Sequence, residues 1–464
     1  MLVSERERLI ELAQKILTAR IELRDCTRRN ISSALTAILI SYPVYRTYVQ
    51  VGEPASADQL ALIARVIAAA AELRPEIDPR VFAAFEQVLT LQRSEPQEIE
   101  FAMRMQQVTG AITAKAIEDT LFYRHTRLVA LNEVGGSPDQ FGLSIDAFHH
   151  ALEAQSQLQG HSRGMLASAT HDTKRGEDTR ARLLALSELP ELWAQASQRW
   201  AERASRYRPG VLDSATEYFF YQTLVGSHPL SLERALAYMV KATRERKVET
   251  SWIQPNPDYE AALEQFVSSV YADQELQNDI AQLAARLAPA GYLTSLSRTL
   301  IKLTAPGIPD LYQGTELWDL SLVDPDNRAP VDFALRRELL ATFPKATPES
   351  ILADMERGTP KLWLIWKTLS LRKLRPELFE GRYKRLHVEG PDAEHVVAFA
   401  RGSTLVAVVP RLNAHTEPKQ RSASVRLPVG RFRNVLVDAV HEQEIVPTSQ
   451  LWARFPVALL VREA

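Results

Sequence analysis

The sequence "GMLASATHDTKRGED", residues 164–178, joins a short apolar run to a dense group of charged side chains. Residues 164–170 are small or apolar, which is typical of a short buried strand. Positions 171–175 then hold a histidine, a carboxylate and two cations. Polar side chains that follow a parallel strand lie at its carboxyl end, where α/β proteins place their active sites. The stretch therefore predicts one strand of an α/β fold with a candidate site at its end.

The same stretch also has a purely structural interpretation. Asp172 or Thr173 would cap the helix that follows, and Glu177 and Asp178 would lie in its first turn, where the helix dipole stabilises acids. The two cations of the stretch do not fit this interpretation, because positive charge is unfavourable near a helix N-terminus. That conflict indicates that the cations face a ligand.

Three kinds of ligand are compatible with these residue types. A metal ion needs three or four ligands, but no second histidine follows His171 at helical spacing. A phosphate would suit Lys174 and Arg175, although no glycine-rich loop precedes them. A carbohydrate is the third alternative, since carboxylates and cations bind sugar hydroxyls and aromatic rings pack on sugar faces. Tyr312 and Trp318, in a later loop, could supply such rings.

Length and composition exclude several classes of protein. A chain of 464 residues with a formal net charge of −2 is too long for one compact core and predicts two or three domains. The near-neutral charge argues against a nucleic-acid-binding protein. No apolar run reaches the roughly 18 residues of a membrane span, and the N-terminus lacks a signal peptide's apolar stretch. We therefore expect a cytoplasmic protein without a membrane partner. Cys26 is the only cysteine, which excludes an intrachain disulfide and a thiolate zinc cluster.

Hydrophobic spacing predicts the remaining elements. The first hundred residues have helical periodicity, as in "LIELAQKILTARIEL", and the period continues to about Val134, before the Gly/Pro-containing loop "NEVGGSPDQFG". A second short strand is predicted at 307–313, and the strand–helix–strand order suits a parallel pair. From about Phe379 onward, alternating runs such as "HVVAFARG" and "TLVAVVPRL" predict a small antiparallel β-domain. Between the two strands, helices are predicted at 192–206, 216–224, 232–243 and 259–288.

Three longer stretches resemble one family closely. They are "AKAIEDTLFYRHTRLVALNEVGG" (114–136), "SATHDTKRGEDTRARL" (168–183) and "LTAPGIPDLYQGTELWDLSLVDPDNRAPVDF" (303–333). Together they look like maltooligosyltrehalose synthase, a member of the α-amylase superfamily of glycoside hydrolases. The resemblance covers essentially the whole chain.

The resemblance implies an intramolecular transglucosylation. The α-1,4 bond at the reducing end of a maltooligosaccharide is broken, and the glucose is rejoined through an α,α-1,1 link, with no cofactor and no metal. The chemistry is that of retaining glycosidases, with a carboxylate nucleophile and an acid/base carboxyl. Asp172 matches the third carboxylate of the superfamily, which binds hydroxyls of the distorted sugar, and His171 matches the neighbouring sugar-binding histidine. Motif position and local charge assign further substrate-binding roles to Lys115, Glu118, Asp119, Tyr123, Lys174, Arg175 and Tyr312.

The resemblance also implies a mixed α and β fold in three regions. Residues 1–145 would form a mainly helical insertion region. Residues 146–345 would hold the last strands of a TIM-type (β/α)8 barrel with helical insertions. Residues 346–464 would form a linker, a helix and a small antiparallel, β-sandwich-like C-terminal domain.

The sequence departs from the family pattern at the catalytic centre. The superfamily nucleophile lies in a "GxRxD" strand motif and the acid/base Glu follows on the next strand, but neither is found. "ELRDC" (22–26) lacks the glycine and has a helical context, and His228 stands where the family usually shows Trp. We therefore expect the isolated chain to lack the covalent chemistry. One alternative is that an N-terminal half, either encoded separately or missing from this sequence, completes the barrel. Another is a protein that only binds maltooligosaccharide.

Overall fold

The computed structural model describes residues 2–93, 95–157 and 164–463. The fold is mixed α and β, as predicted, and the sheets of its C-terminal part are antiparallel. The chain divides into two compact units, Met1–Leu121 and Phe122–Ala464. The three-region division at 145 and 345 stays a prediction. None of the helices in the described ranges is both long enough and apolar enough to cross a membrane.

The first unit is helical, in agreement with its hydrophobic periodicity. Its helices pack through one apolar cluster that contains Leu9, Ile31, Ile63 and Phe85. A π-helix, Thr113–Leu121, directly continues the last α-helix. The α-helices are α1 (Val3–Thr18), α2 (Arg28–Ile40), α3 (Ala57–Leu73), α4 (Pro79–Leu89) and α5 (Pro96–Ile112).

The second unit begins with more helices. They are α6 (Phe122–Arg124), α7 (Ile145–Gln157), α8 (Glu177–Leu184), α9 (Pro190–Ala204), α10 (Ser214–Gly226), α11 (Leu232–Arg246), α12 (Pro257–Ala272), α13 (Gln274–Thr304), α14 (Phe333–Thr342), α15 (Pro348–Ala353) and α16 (Thr359–Leu374). The single helix predicted at 259–288 is wrong, because α12 ends and α13 begins at Asp273. The Asp273 carboxylate accepts the Leu276 N–H at 3.2 Å and so caps α13.

Two short strands in the middle of the chain are parallel, as predicted. Strand β1 (Met165–Leu166) pairs with β2 (Ile308–Pro309), with Met165 opposite Ile308. Both strands are shorter than predicted, since the chain after β1 enters a turn in which the Thr170 N–H bonds to Thr173. The loops that follow, 167–176 and 310–332, therefore start side by side at the carboxyl end of the pair. The prediction that the first strand is buried is wrong, because Met165 is exposed and Leu166 is only half-buried.

The C-terminal part is antiparallel, as predicted. A larger sheet has the strand order β3-β5-β6-β11-β8-β9, and a smaller one has the order β10-β7-β4. Alternate β5 side chains face different layers: Phe399 packs with Trp363 of α16, and Ala398 packs with Val425 of the smaller sheet. The elements are β3 (Tyr383–Arg385), β4 (Val388–Glu389), β5 (Val396–Arg401), β6 (Leu405–Pro410), β7 (Ser424–Arg426), β8 (Phe432–Asn434), β9 (Ala439–His441), β10 (Ile445–Pro447), α17 (Thr448–Leu451) and β11 (Ala458–Arg462).

Candidate functional site

His171 and Asp172 lie in a tight turn at the carboxyl end of β1. The Thr170 N–H donates to Thr173 Oγ1 at 2.7 Å, and the Asp172 N–H donates to Thr170 Oγ1 at 3.2 Å. His171 Nε2 is 3.3 Å from Asp172 Oδ2, and the two side chains are 63% and 66% exposed. The turn therefore presents an imidazole and a carboxylate together to solvent.

The helix after this turn begins later than capping preferences predict. Helix α8 starts at Glu177 with Gly176 at the N-cap and without a side-chain cap. The prediction that Asp172 or Thr173 caps this helix is wrong, because the Thr173 hydroxyl accepts a hydrogen bond from within the preceding turn. The two acids do lie in the first helical turn, as predicted.

The loop after β2 braces the turn that carries His171. Asn327 Nδ2 donates to the carbonyl oxygen of His171 at 3.1 Å and to that of Thr170 at 3.4 Å. The Gly176 N–H donates to the Ser321 carbonyl at 2.8 Å. Sequence reasoning assigned Asn327 no role, although it lies in one of the stretches that carry the family resemblance. Its position becomes meaningful only when the parallel pairing of β1 and β2 brings the two loops together.

Gly176 is required by the close approach of these two loops. A Cβ atom at this position would lie 2.4 Å from the Asp319 carbonyl oxygen. We expect Gly176→Ala to destabilise the chain by about 1–3 kcal/mol, the usual cost of overpacking. Gly210→Ala is the matched control, because its Cβ would meet no atom within 4 Å. Calorimetric unfolding of both variants checks the expectation, and equal melting temperatures would contradict it.

Glu133, in the loop "NEVGG", holds the other side of the turn. Its carboxylate accepts the Lys174 N–H at 3.0 Å and the Arg175 N–H at 3.4 Å. Arg180 Nε lies 3.4 Å from the same carboxylate, and both side chains are nearly buried. Sequence reasoning assigned Glu133 no role, although it lies in one of the stretches that carry the family resemblance.

Arg175, one of the two cations that precede helix α8, has structural contacts that do not require a ligand. Its side chain is 1% exposed, donates to the Val129 carbonyl at 3.2 Å and to Tyr238 Oη at 3.0 Å, and lies over the Phe219 ring. Lys174 is also buried. The geometry supports a packing role for Arg175, whereas the substrate-binding roles of both cations stay predictions.

A buried cluster of charges lies directly beneath the turn. Lys361 Nζ lies 2.6 Å from Glu177 Oε1 and 2.7 Å from Asp178 Oδ2. Lys302 Nζ lies 3.4 Å from Glu177 Oε2 and donates to Ser168 Oγ at 2.6 Å. Sequence reasoning missed both lysines. The cluster fixes Ser168, which lies between β1 and the turn.

In this cluster, attraction between opposite charges counteracts the effect of burial on the pKa values of the buried groups. Burial would raise the pKa of Glu177, but the Lys361 and Lys302 ammonium groups outweigh it and hold that pKa below its usual range. Burial raises the pKa of Asp178, and Lys361 opposes that effect. Burial would lower the pKa of Lys361, but the two carboxylates raise it. Each buried charge of the cluster is therefore stabilised by its neighbours of opposite sign, and removal of one member would leave the others without compensation.

The other predicted site residues lie in different surroundings. Tyr312 lies in the loop after β2 and is partly buried, so it shares the strand-end region with His171. Tyr123 is buried in the apolar core and packs near Phe219, with ring centroids 6.4 Å apart. A substrate-binding role for Tyr123 stays a prediction, and its burial supports packing.

Three predicted residues lie on the π-helix of the first unit. Lys115 Nζ is 2.6 Å from Asp119 Oδ2, and Glu118 accepts a hydrogen bond from Tyr45 Oη. The π-helix is rare and is often found at functional sites. Their substrate-binding roles stay predictions.

The described residues do not include a metal centre. Within residues 2–93, 95–157 and 164–463, no three or more His, Cys, Asp or Glu side chains are grouped to hold a metal ion.

Comparisons with known proteins agree with the resemblance. No family model matches the chain. A Mycobacterium tuberculosis protein named as a maltooligosyl trehalose synthase is 39% identical over 373 residues, which is 78% of this chain and 46% of that protein. The chain is a relative of the maltooligosyltrehalose synthases. It spans about half the length of the curated relatives it matches.

Solved structures of maltooligosyltrehalose synthases share this fold. The enzyme from Arthrobacter ramosus matches with a TM-score of 0.82 and 33% identity, over 100% of this chain and 56% of that one. A hypothetical maltooligosyl trehalose synthase from Sulfolobus tokodaii matches with a TM-score of 0.73 and 26% identity, over 99% of this chain and 58% of that one. The resemblance seen in the sequence is thus confirmed.

Proposed function

We propose that this chain supplies part of a maltooligosyltrehalose synthase active site. The reaction is the conversion of the reducing-end α-1,4 bond of a maltooligosaccharide into an α,α-1,1 bond, a step of trehalose biosynthesis. The observation that carries the proposal is the exposed His171–Asp172 pair at the carboxyl end of a parallel strand. Its surroundings are braced on both sides, which suits a preorganised site.

Asp172 and His171 bind the sugar ring in this proposal. An exposed carboxylate accepts hydrogen bonds from two adjacent hydroxyl groups, and the imidazole beside it binds a third. These contacts favour reaction only if they tighten as the sugar distorts towards an oxocarbenium-like state. A retaining mechanism also needs a nucleophile and an acid/base carboxyl. This sequence lacks the motifs that carry them, so in this proposal another polypeptide segment supplies both.

We also propose that β1 and β2 are strands of a (β/α)8 barrel completed by a second polypeptide. Parallel sheets are normally covered on both faces. Met165 and Ile308, which face each other in the pair, are instead 73% and 51% exposed. In the described part of the chain, β1 and β2 pair only with each other. Additional strands would cover these apolar side chains and bring the missing carboxylates to the strand ends.

The isolated chain should not convert maltopentaose into a trehalose-ended product. Chromatography of the reaction products, with and without a polypeptide corresponding to the unmatched half of a relative, tests this expectation. Restored conversion in the mixture supports the proposal, and turnover by the isolated chain contradicts the need for a partner. Calorimetric binding of maltopentaose without turnover in either case would favour the alternative, a maltooligosaccharide-binding protein.

A further inference from the structure

The second unit contains a cavity of about 690 Å³ that neither His171 nor Asp172 lines. Its walls come from the loop before α7, from α13 and from the adjoining ends of β5 and β6. Most of the lining side chains are apolar, among them Phe148, Ile301 and Val409. A volume of this size holds a small organic ligand.

One wall of the cavity is held in place by polar contacts. The Glu188 carboxylate accepts the Asn413 N–H at 3.2 Å and the Ala414 N–H at 2.9 Å. Asn413 Nδ2 donates to Thr294 Oγ1 at 3.2 Å, which ties the same loop to α13. Both Glu188 oxygens are thus engaged, so the carboxylate is already satisfied and does not call for a bound cation.

Arg298 is one of two cationic side chains that line the cavity. One of its amino groups, Nη1, donates to the Glu177 carbonyl at 3.3 Å. Among the residues that the structure describes, this is the only hydrogen bond of the side chain, which leaves its Nε and Nη2 donors for a ligand. Burial lowers the pKa of Arg298 to about 10, with Arg180 adding to the effect, and the guanidinium remains charged at neutral pH. Arg411, a second cation, also lines the cavity.

We propose that this cavity binds an amphipathic anion, with its apolar body against Phe148 and Ile301 and its carboxylate or phosphate head paired with Arg298. A planar guanidinium donates two parallel hydrogen bonds to such a head. A sugar fits less well, because the mostly apolar lining offers few partners for its many hydroxyl groups. This site is independent of the transglucosylation proposed above.

Titration calorimetry with decanoate, below its micelle concentration, tests the proposal. We expect one site per chain, with decanoate binding at least about tenfold more tightly than decyltrimethylammonium, which has an alkyl chain of similar length and the opposite charge. Arg298→Gln should weaken decanoate binding about tenfold. Arg286→Gln is the matched control, since Arg286 is exposed on the same helix and does not line the cavity.

A second variant guards against misfolding of Arg298→Gln. Leu143 lines the cavity but is 61% exposed, so Leu143→Glu should fold normally and weaken decanoate binding by charge repulsion. Absence of binding, equal affinity for the two amphiphiles, or unchanged affinity in both variants would overturn the proposal. Maltopentaose binding that competes with decanoate would also overturn it, in favour of a second sugar site.

Discussion

Replacing Lys361 by Met should destabilise the second unit by about 3–5 kcal/mol, the scale measured when one partner of a buried ion pair is removed. Lys361 is completely buried between Glu177 and Asp178, and its Nζ also donates to the Leu317 carbonyl at 3.3 Å. Methionine keeps the unbranched stem of the side chain, one heavy atom shorter, but leaves both carboxylates without their shared cation. Calorimetric unfolding measures the loss. Lys373→Met is the control, because Lys373 is exposed on the same helix.

The pH dependence of this variant separates charge from packing. In the wild-type chain the pKa of Glu177 is held low. Its stabilising contribution is therefore present above pH of about 4 and is lost as the pH falls further. In Lys361→Met, burial should raise the pKa of Glu177 above its unfolded value, and the pKa of Asp178, which burial already raises in the wild-type chain, should rise further. The folded variant then binds more protons than the unfolded chain, and its stability should rise from pH 7 to pH 5. A deficit that is constant with pH would indicate lost packing alone.

Local sequence patterns were sufficient to predict most of the helices and strands and the parallel pairing of β1 with β2. The small and apolar residues 164–170, and the Pro/Gly turn before Ile308, predict two short strands in a parallel arrangement, and both are present. The antiparallel C-terminal strands follow from alternation in the same way. Asp273 was missed because helical spacing continues across it, although its backbone N–H donates to Ser269 at the end of α12 and its carboxylate caps the start of α13.

Long-range contacts account for what could not be predicted at the site. Lys361 is 183 positions from Asp178 in the sequence, so no local pattern connects the two. Arg175 appeared to need a ligand, yet its partners Val129 and Tyr238 come from separate segments that fold against it. Its conflict with the helix dipole disappears because helix α8 begins only at Glu177. Asp172 is different, because the contacts of this exposed residue are to Thr170 and His171 in its own turn, and its carboxylate remains accessible to a ligand.

Asp172→Asn should abolish most of the activity that a partner polypeptide restores, by about 10²–10³-fold, the cost of removing one preorganised electrostatic group. The substitution keeps the shape of the side chain and removes its charge. Because the side chain of Asp172 is 66% exposed and its nearest charged neighbour is the similarly exposed His171, the free energy of unfolding should change by less than about 0.5 kcal/mol. Initial rates of product formation from maltopentaose measure the effect. Asp139→Asn, another exposed position, is the control.

The comparison of binding and turnover tests the role of Asp172 more sharply than activity alone. A carboxylate that binds hydroxyls equally in the ground state and in the transition state would lose maltopentaose affinity and kcat/KM by the same factor when changed to Asn, with kcat unchanged. If the carboxylate instead acts on the distorted sugar, its change to Asn should lower maltopentaose affinity by at most about tenfold and kcat/KM by far more. If Asp172→Asn lowers maltopentaose affinity and kcat/KM by the same factor, Asp172 contributes to substrate binding alone. If the reconstituted rate stays within about threefold of the wild-type rate, this turn is not part of the active site.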